Sequence, residues 1–161
     1  MNRFLAQISM NVTRGTSGLV DILSEVLQKN KILAISSVYK RKEIFQAELE
    51  AQYVVVICCE QEGPWPEAQK NLKTISRRGQ IQLLVFEKEV LMTPEMTLPS
   101  PYLQSDPIAI MAAAEVWPGY VHPIYKKPLS TLVGHGQRSD RGEFLFQGRQ
   151  LLEEARKLAG L

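Results

Sequence analysis

Residues 77–100 read Arg77-Arg78-Gly79-Gln80-Ile81-Gln82-Leu83-Leu84-Val85-Phe86-Glu87-Lys88-Glu89-Val90-Leu91-Met92-Thr93-Pro94-Glu95-Met96-Thr97-Leu98-Pro99-Ser100. The run 79–86 predicts a strand, Glu87-Lys88 a tight turn, and 89–91 a short hairpin partner, followed by a proline-closed loop. Gln80 and Gln82 lie two apart, so on a strand both amides point to one face. Leu83-Leu84-Val85-Phe86 is a continuous apolar run, as expected of a central strand buried on both faces. A matched polar pair just ahead of such a run marks either a cleft or the solvated end of the strand.

Working outward, 52–59 (Gln-Tyr-Val-Val-Val-Ile-Cys-Cys) is the strongest strand, rich in β-branched residues and free of breakers. Residues 3–10 and 31–39 predict two more strands. In 31–39, Ile32, Ala34, Ser36 and Val38 are expected on one face, and Leu33, Ile35, Ser37 and Tyr39 on the other. The charged stretch 40–50 predicts a loop, with a helical turn as the alternative. A helix at about 18–29 carries Leu19, Ile22, Leu23, Val26 and Leu27 at helical spacing. A second, about 66–77, opens on Pro66 and turns Ala68, Leu72 and Ile75 inward. The order strand-helix-strand-strand-helix-strand is the split βαβ pattern, an α+β, ferredoxin-like sheet with helices packed on it.

The C-terminal part extends that unit. Asp106-Pro107 caps a small, apolar helix over 107–114. Residues 1–125 are expected to form the domain and 126–142 a glycine-bearing loop or tether. A helix over 143–159 is expected to dock its stripe of Phe144, Leu151, Leu152, Ala155 and Leu158 on the domain or on a partner.

At 161 residues the chain has the length of one domain with a real core. A formal net charge of +2 gives no basis for nucleic-acid or anionic-membrane binding. The apolar stretch Phe4–Ile8 is too short for a signal peptide, and no run approaches the ~18 apolar residues of a membrane span. Cys58 and Cys59 are adjacent and point to opposite faces of a strand, which argues against a mutual disulfide or a shared metal. His122 and His135 add no zinc spacing. These features lead us to expect a cytoplasmic protein.

From about Leu5 to Pro118 the chain resembles 6-hydroxymethyl-7,8-dihydropterin pyrophosphokinase (HPPK), a folate-biosynthesis enzyme. Ile8-Ser9-Met10-Asn11 resembles the family's Ile-Gly-Ser-Asn, and Ile35-Ser36-Ser37-Val38-Tyr39 its Val-Ser-Ser-Phe-Tyr. Tyr53 leads the third strand as the family's Tyr does. Phe86-Glu87-Lys88-Glu89-Val90 and Thr97-Leu98-Pro99 resemble the hairpin and the Thr-Val-Pro-His loop. Glu115-Val116-Trp117-Pro118 resembles the Glu-Ile-Ala-Pro that closes the helix.

The signature strand is altered. Where the family reads Arg-Thr-Leu-Asp-Leu-Asp-Ile, this chain reads Arg77-Arg78-Gly79-Gln80-Ile81-Gln82-Leu83. The resemblance implies that the two missing aspartates would hold two magnesium ions against the phosphates of ATP. Glutamine keeps an oxygen but loses the charge, and phosphoryl-type transfer rests on positioning and charge neutralisation. Loss of both carboxylates should cost about 10³ or more in rate. Ser100 stands at the family's nucleotide-contacting His, Asp106 near its Arg, Val55 at its pterin-reading Asn, and Ser9 at its first-loop Gly. The loop before the signature strand, which closes over the reactants in the family, is cut by about ten residues.

The resulting expectation is a ligand- or protein-binding pseudoenzyme that has lost ATP binding and has no catalytic residues. Its cleft would be lined by Tyr53, Gln80, Gln82, Thr97 and Ser100, with Arg77 and Arg78 as anion contacts or as a solvated helix end. No metal site or cofactor is expected; magnesium and ATP enter only if the chain is an active pyrophosphokinase. That alternative would need a metal site rebuilt from Glu87, Glu89 or Asp106. A third reading is a structural or assembly module, self-associating through an open sheet edge or the last helix.

Overall fold

A computed structural model describes residues 1–45, 48–75, 80–133 and 142–161. The core element is β4 (Glu48–Gln61), whose alternate side chains are buried to opposite sides. Val55, Ile57 and Cys59 enter one apolar cluster, and Val54, Val56 and Cys58 another. Burial raises both thiols, that of Cys58 to about 11, so neither carries a reactive thiolate near neutral pH.

Strand β1 (Asn2–Asn11) pairs antiparallel with β4 over its whole length, and β5 (Gln80–Phe86) pairs with the other side of β1. β2 (Lys31–Ile35) and β3 (Ser37–Phe45) both pair antiparallel with β4. Counting β2 and β3 as one interrupted strand, the order β5-β1-β4-β3 is the ferredoxin-like arrangement. α1 (Gly15–Leu27) and α2 (Trp65–Ile75) pack on the first face.

The β2–β3 break corrects the strict alternation expected for 31–39. Ile32, Ile35 and Val38 join the first cluster, while Ala34 and Tyr39 join the second. The register of this edge against β4 shifts between Ile32 and Ala34 and slips again before Tyr39. At Ser36 a side chain stands in for a backbone group: Ser36 Oγ accepts from Val56 N at 2.9 Å and donates to Ser37 O. A bulge of this kind changes which side chains face inward without breaking the ladder.

Three further expectations are corrected. The stretch 40–50 is no loop where described: β3 runs to Phe45 and β4 starts at Glu48, a hairpin whose charged residues find their backbone partners in each other. The short strand after the Glu87-Lys88 turn pairs elsewhere, since β6 (Leu91–Met92) joins β7 (Thr97–Leu98) and not β5. The expected helix at 143–159 begins at Arg149. Residues 142–147 form instead β8 (Gly142–Gln147), which adds to β3, because an edge strand offers backbone partners that a helical stripe in the sequence does not reveal.

The second face is covered by α3 (Tyr102–Ser105), α4 (Pro107–Val116) and α5 (Leu129–Val133), the last within the expected 126–142 tether; residues 134–141 of that segment lie outside the described residues. α6 (Arg149–Leu158) packs Leu151, Leu152 and Ala155 into the first-face core. Gly148 joins β8 to α6 where a Cβ would lie 2.4 Å from Ser36 O, so only glycine allows that approach. Among the described residues no helix is long and apolar enough to cross a membrane.

His122 closes the turn after α4. Its Nδ1 accepts from the backbone N–H groups of Ile124 and Tyr125 at 3.2 and 3.3 Å, which puts the proton of the neutral ring on Nε2. The ring is 1% exposed and burial lowers its pKa from 6.5. The neutral form is therefore favoured by folding, and its contribution is complete above 6.5 and declines as pH falls below it. The melting temperature of the wild type should fall further between about pH 7.5 and 5 than that of His122→Asn, which keeps a side-chain acceptor but cannot titrate. Equal falls in a pair of thermal melts would contradict this account.

Candidate functional site

Register places the glutamines. Gln80 lies opposite Ser9 and Gln82 opposite Gln7 on β1. Leu5 belongs to the second-face cluster, so Gln7, Ser9 and Asn11 alternate onto that face, and Gln80 and Gln82 with them. Asn11 lies opposite Gln52, and Gln52 opposite Arg41. The result is a polar strip at one end of the face that α4 covers. Gln7 is its buried member at 3% exposure; Gln82 is half-buried and Gln80 exposed. Gln7 Nε2 reaches Ser9 Oγ at 3.4 Å, and Gln7 Oε1 is buried without a partner.

The expected cleft is only partly assembled. Gln80 and Gln82 come together. Ser100 is buried beside β5, its N–H bonded to Leu84 O at 2.7 Å and its Oγ accepting from Tyr102 N at 3.2 Å. Thr97 is half-buried in β7, where it pairs with Met92. Tyr53 stands apart: opposite Met10, it packs on the α1 side of the sheet. The parity of the strand is the reason, since Gln52 and Val54, one position either way, carry the α4 side. Arg77 and Arg78 lie outside the described residues. Gln7 was not anticipated, although a lone amide two residues before Ser9 in an apolar strand was its visible signal.

α4 is fastened over this face at both ends. Asp106 caps its first turn by accepting from Ile108 N at 3.0 Å, and also pairs with Arg41. At the other end Glu115 accepts from Ser37 N at 2.8 Å, from Ser37 Oγ at 2.7 Å and from Tyr39 OH. Burial, reinforced by the Glu115 carboxylate, raises the Tyr39 pKa, so the phenol keeps its proton.

The Glu87 carboxylate is committed too. Glu87 sits just past the far end of β5, up to about 16 Å from Gln82 at ~3.3 Å per residue. It adopts φ 45° and accepts from Arg3 N, while its carbonyl accepts from Tyr120 OH at 2.6 Å. Burial, with the Glu87 charge second, pushes Tyr120 up to about 12. Among the described residues no group of three His, Cys, Asp or Glu converges as a metal site.

No family model matches the chain. Over 53 residues it is 34% identical to the 2-amino-4-hydroxy-6-hydroxymethyldihydropteridine pyrophosphokinase of Aquifex aeolicus (strain VF5), a match covering 33% of each chain. A triple mutant of Plasmodium falciparum HPPK-DHPS superposes with TM-score 0.70 at 9% identity, over 89% of this chain and 45% of that one. The wild-type Plasmodium falciparum HPPK-DHPS with pteroate gives TM-score 0.67 at 10% identity, over 82% and 42%. The chain resembles the HPPK family and shares its α+β fold. It spans a third of the length of its curated relative and under half of these structures. Within this HPPK-like fold, β5 presents Gln80 and Gln82, with Gln7 beside them.

Asp106→Ala removes both the α4 cap and the ion pair to Arg41, and should cost about 2 kcal/mol. Asp106→Ser keeps a capping oxygen and should cost about 1 kcal/mol less. Urea denaturation of both variants tests this; equal losses would assign the whole effect to the ion pair.

Proposed function

We propose that this chain is an HPPK-like binding protein that no longer transfers pyrophosphate. The observation that carries the reading is the donor set of Gln7, Gln80 and Gln82: neutral amides on one face, with the neighbouring Asp106 held by Arg41 and the α4 N-terminus. Magnesium is a hard cation held by carboxylates together with substrate phosphates, and this set does not fit it. Carboxamides instead offer paired donors and acceptors to a neutral polar ligand. The hydroxymethyldihydropteridine named for the Aquifex relative is a ligand of that chemistry and the first to try.

An active enzyme with a displaced metal would need Glu87 or Glu89 to act from the far end of β5, or Asp106 to abandon both its partners. The assembly reading is favoured by one feature: β8 stands at the end of the described sheet, paired there only to β3, and its Phe144 is 56% exposed. A concentration-dependent mass in light scattering, lost in Phe144→Lys, would support it.

Calorimetric titration with 6-hydroxymethyl-7,8-dihydropterin and a non-hydrolysable ATP analogue, each with and without magnesium, tests the main reading. The expected result is pterin binding that ignores magnesium, weakened about tenfold by Gln82→Leu, and no AMP on mixing pterin with ATP. Magnesium-dependent nucleotide binding with AMP release would overturn it.

A further inference from the structure

A groove of about 810 Å³ opens on the α1 face, at the end of the sheet away from the glutamine strip. It lies where the end of α1, the start of β2, the end of β4, the start of α2 and α6 meet. Its volume lies in the range of small-molecule sites. Lys29 and Arg156 line it together with Glu62 and Glu67; Lys31 and Glu60 contribute to its rim, but as cross-strand partners one position off Ile32 and Cys59 they turn their charges to the other face. Among the described residues ion pairs join Lys40 to Glu143 and Arg41 to Asp106, and none joins two of these six. Charges of both signs, Lys29 and Arg156 against Glu62 and Glu67, thus meet at one groove without a direct ion pair.

Two amides at the groove sharpen the chemistry. Gln61 is 4% exposed, and neither its Nε2 nor its Oε1 has a partner. Asn30 is 7% exposed; its Nδ2 donates to Val26 O at 3.1 Å, while its Oδ1 has no partner. Buried amides are normally satisfied, and each one left open costs stability. A carboxamide with both ends unused presents a coplanar donor and acceptor, whose complement is another amide edge.

We propose that this groove binds a small zwitterion carrying an amide, of which a dipeptide is the simplest example. The ligand's ammonium would lie toward Glu62 and Glu67, its carboxylate toward Lys29 and Arg156, and its peptide N–H and C=O against Gln61. This site is separate from the glutamine strip and does not rest on the function proposed for it.

The test is an NMR titration of the full chain with three probes: glycylglycine, its uncharged cyclic form diketopiperazine, and β-alanine, which has both charges and no amide. Glycylglycine should give saturable shifts at Asn30 and Gln61, with the other two about tenfold weaker. Gln61→Met and Arg156→Glu should each weaken glycylglycine about tenfold, with the amide signals of Gln80 and Gln82 unmoved as the check on folding. Shifts that fail to saturate by about 20 mM, or that neither variant alters, would overturn the site. Diketopiperazine or β-alanine binding as tightly as glycylglycine would overturn the ligand class.

Discussion

The structure depends on one constraint: β1 and β4 are buried on both faces. Phe4, Ala6 and Ile8 fill one side of β1 and Leu5 the other, and β4 divides its apolar residues in the same way. Strands of that kind need a layer on each side, because an uncovered face would leave several large side chains in water at about 25 cal/mol per Å². α1, α2 and α6 supply one layer; α3, α4 and α5 supply the other. The C-terminal additions to the ferredoxin-like unit follow from the same need. β8 extends the sheet beside β3, and the turn at Gly148 brings α6 down onto the first face.

The polar strip is where the second face stops being a core. Leu5, Val54 and Val56 hand over to Gln7, Ser9, Asn11 and Gln52 within two residues along their strands. Above it, α4 is fixed by carboxylates at its two ends, Asp106 and Glu115, each bonded to β3. Both attachments reach from a helix to a strand across the layer, so the element beside the strip is held at both of its ends. Among the described residues Arg41 and Asp106 pair with each other, and Gln7, Ser9, Asn11, Gln52, Gln80 and Gln82 contribute amides and a hydroxyl. A site of this composition favours recognition by hydrogen-bond pattern over attraction by charge.

Much of the fold was legible because burial on both faces leaves continuous apolar runs, as at 52–59 and 83–86. The helices at α1, α2 and α4 announced themselves by spacing and by Pro66 and Pro107. What failed was whatever depends on a partner strand. The charged segment 40–45 looks like a loop until β4 supplies its hydrogen bonds, and 142–147 looks helical until β3 does. At the site, period two correctly put Gln80 and Gln82 on one face. It could not tell which parity of β4 meets α4, and so Tyr53 was assigned to the wrong side. Gln7 was hidden for the related reason that its neighbours on β5 become known only from the register.

The docking of α6 carries a consequence for biosynthesis. Leu151, Leu152 and Ala155 complete the core that α1 helps to form, so residues near position 20 wait for residues near 150. Translation proceeds at about 5–20 residues per second, so a chain emerging from the ribosome exposes part of the α1 face for several seconds before its cover is made. Contacts so distant along the chain also close slowly. The nascent protein is accordingly a candidate client for chaperones during synthesis, until α6 has emerged.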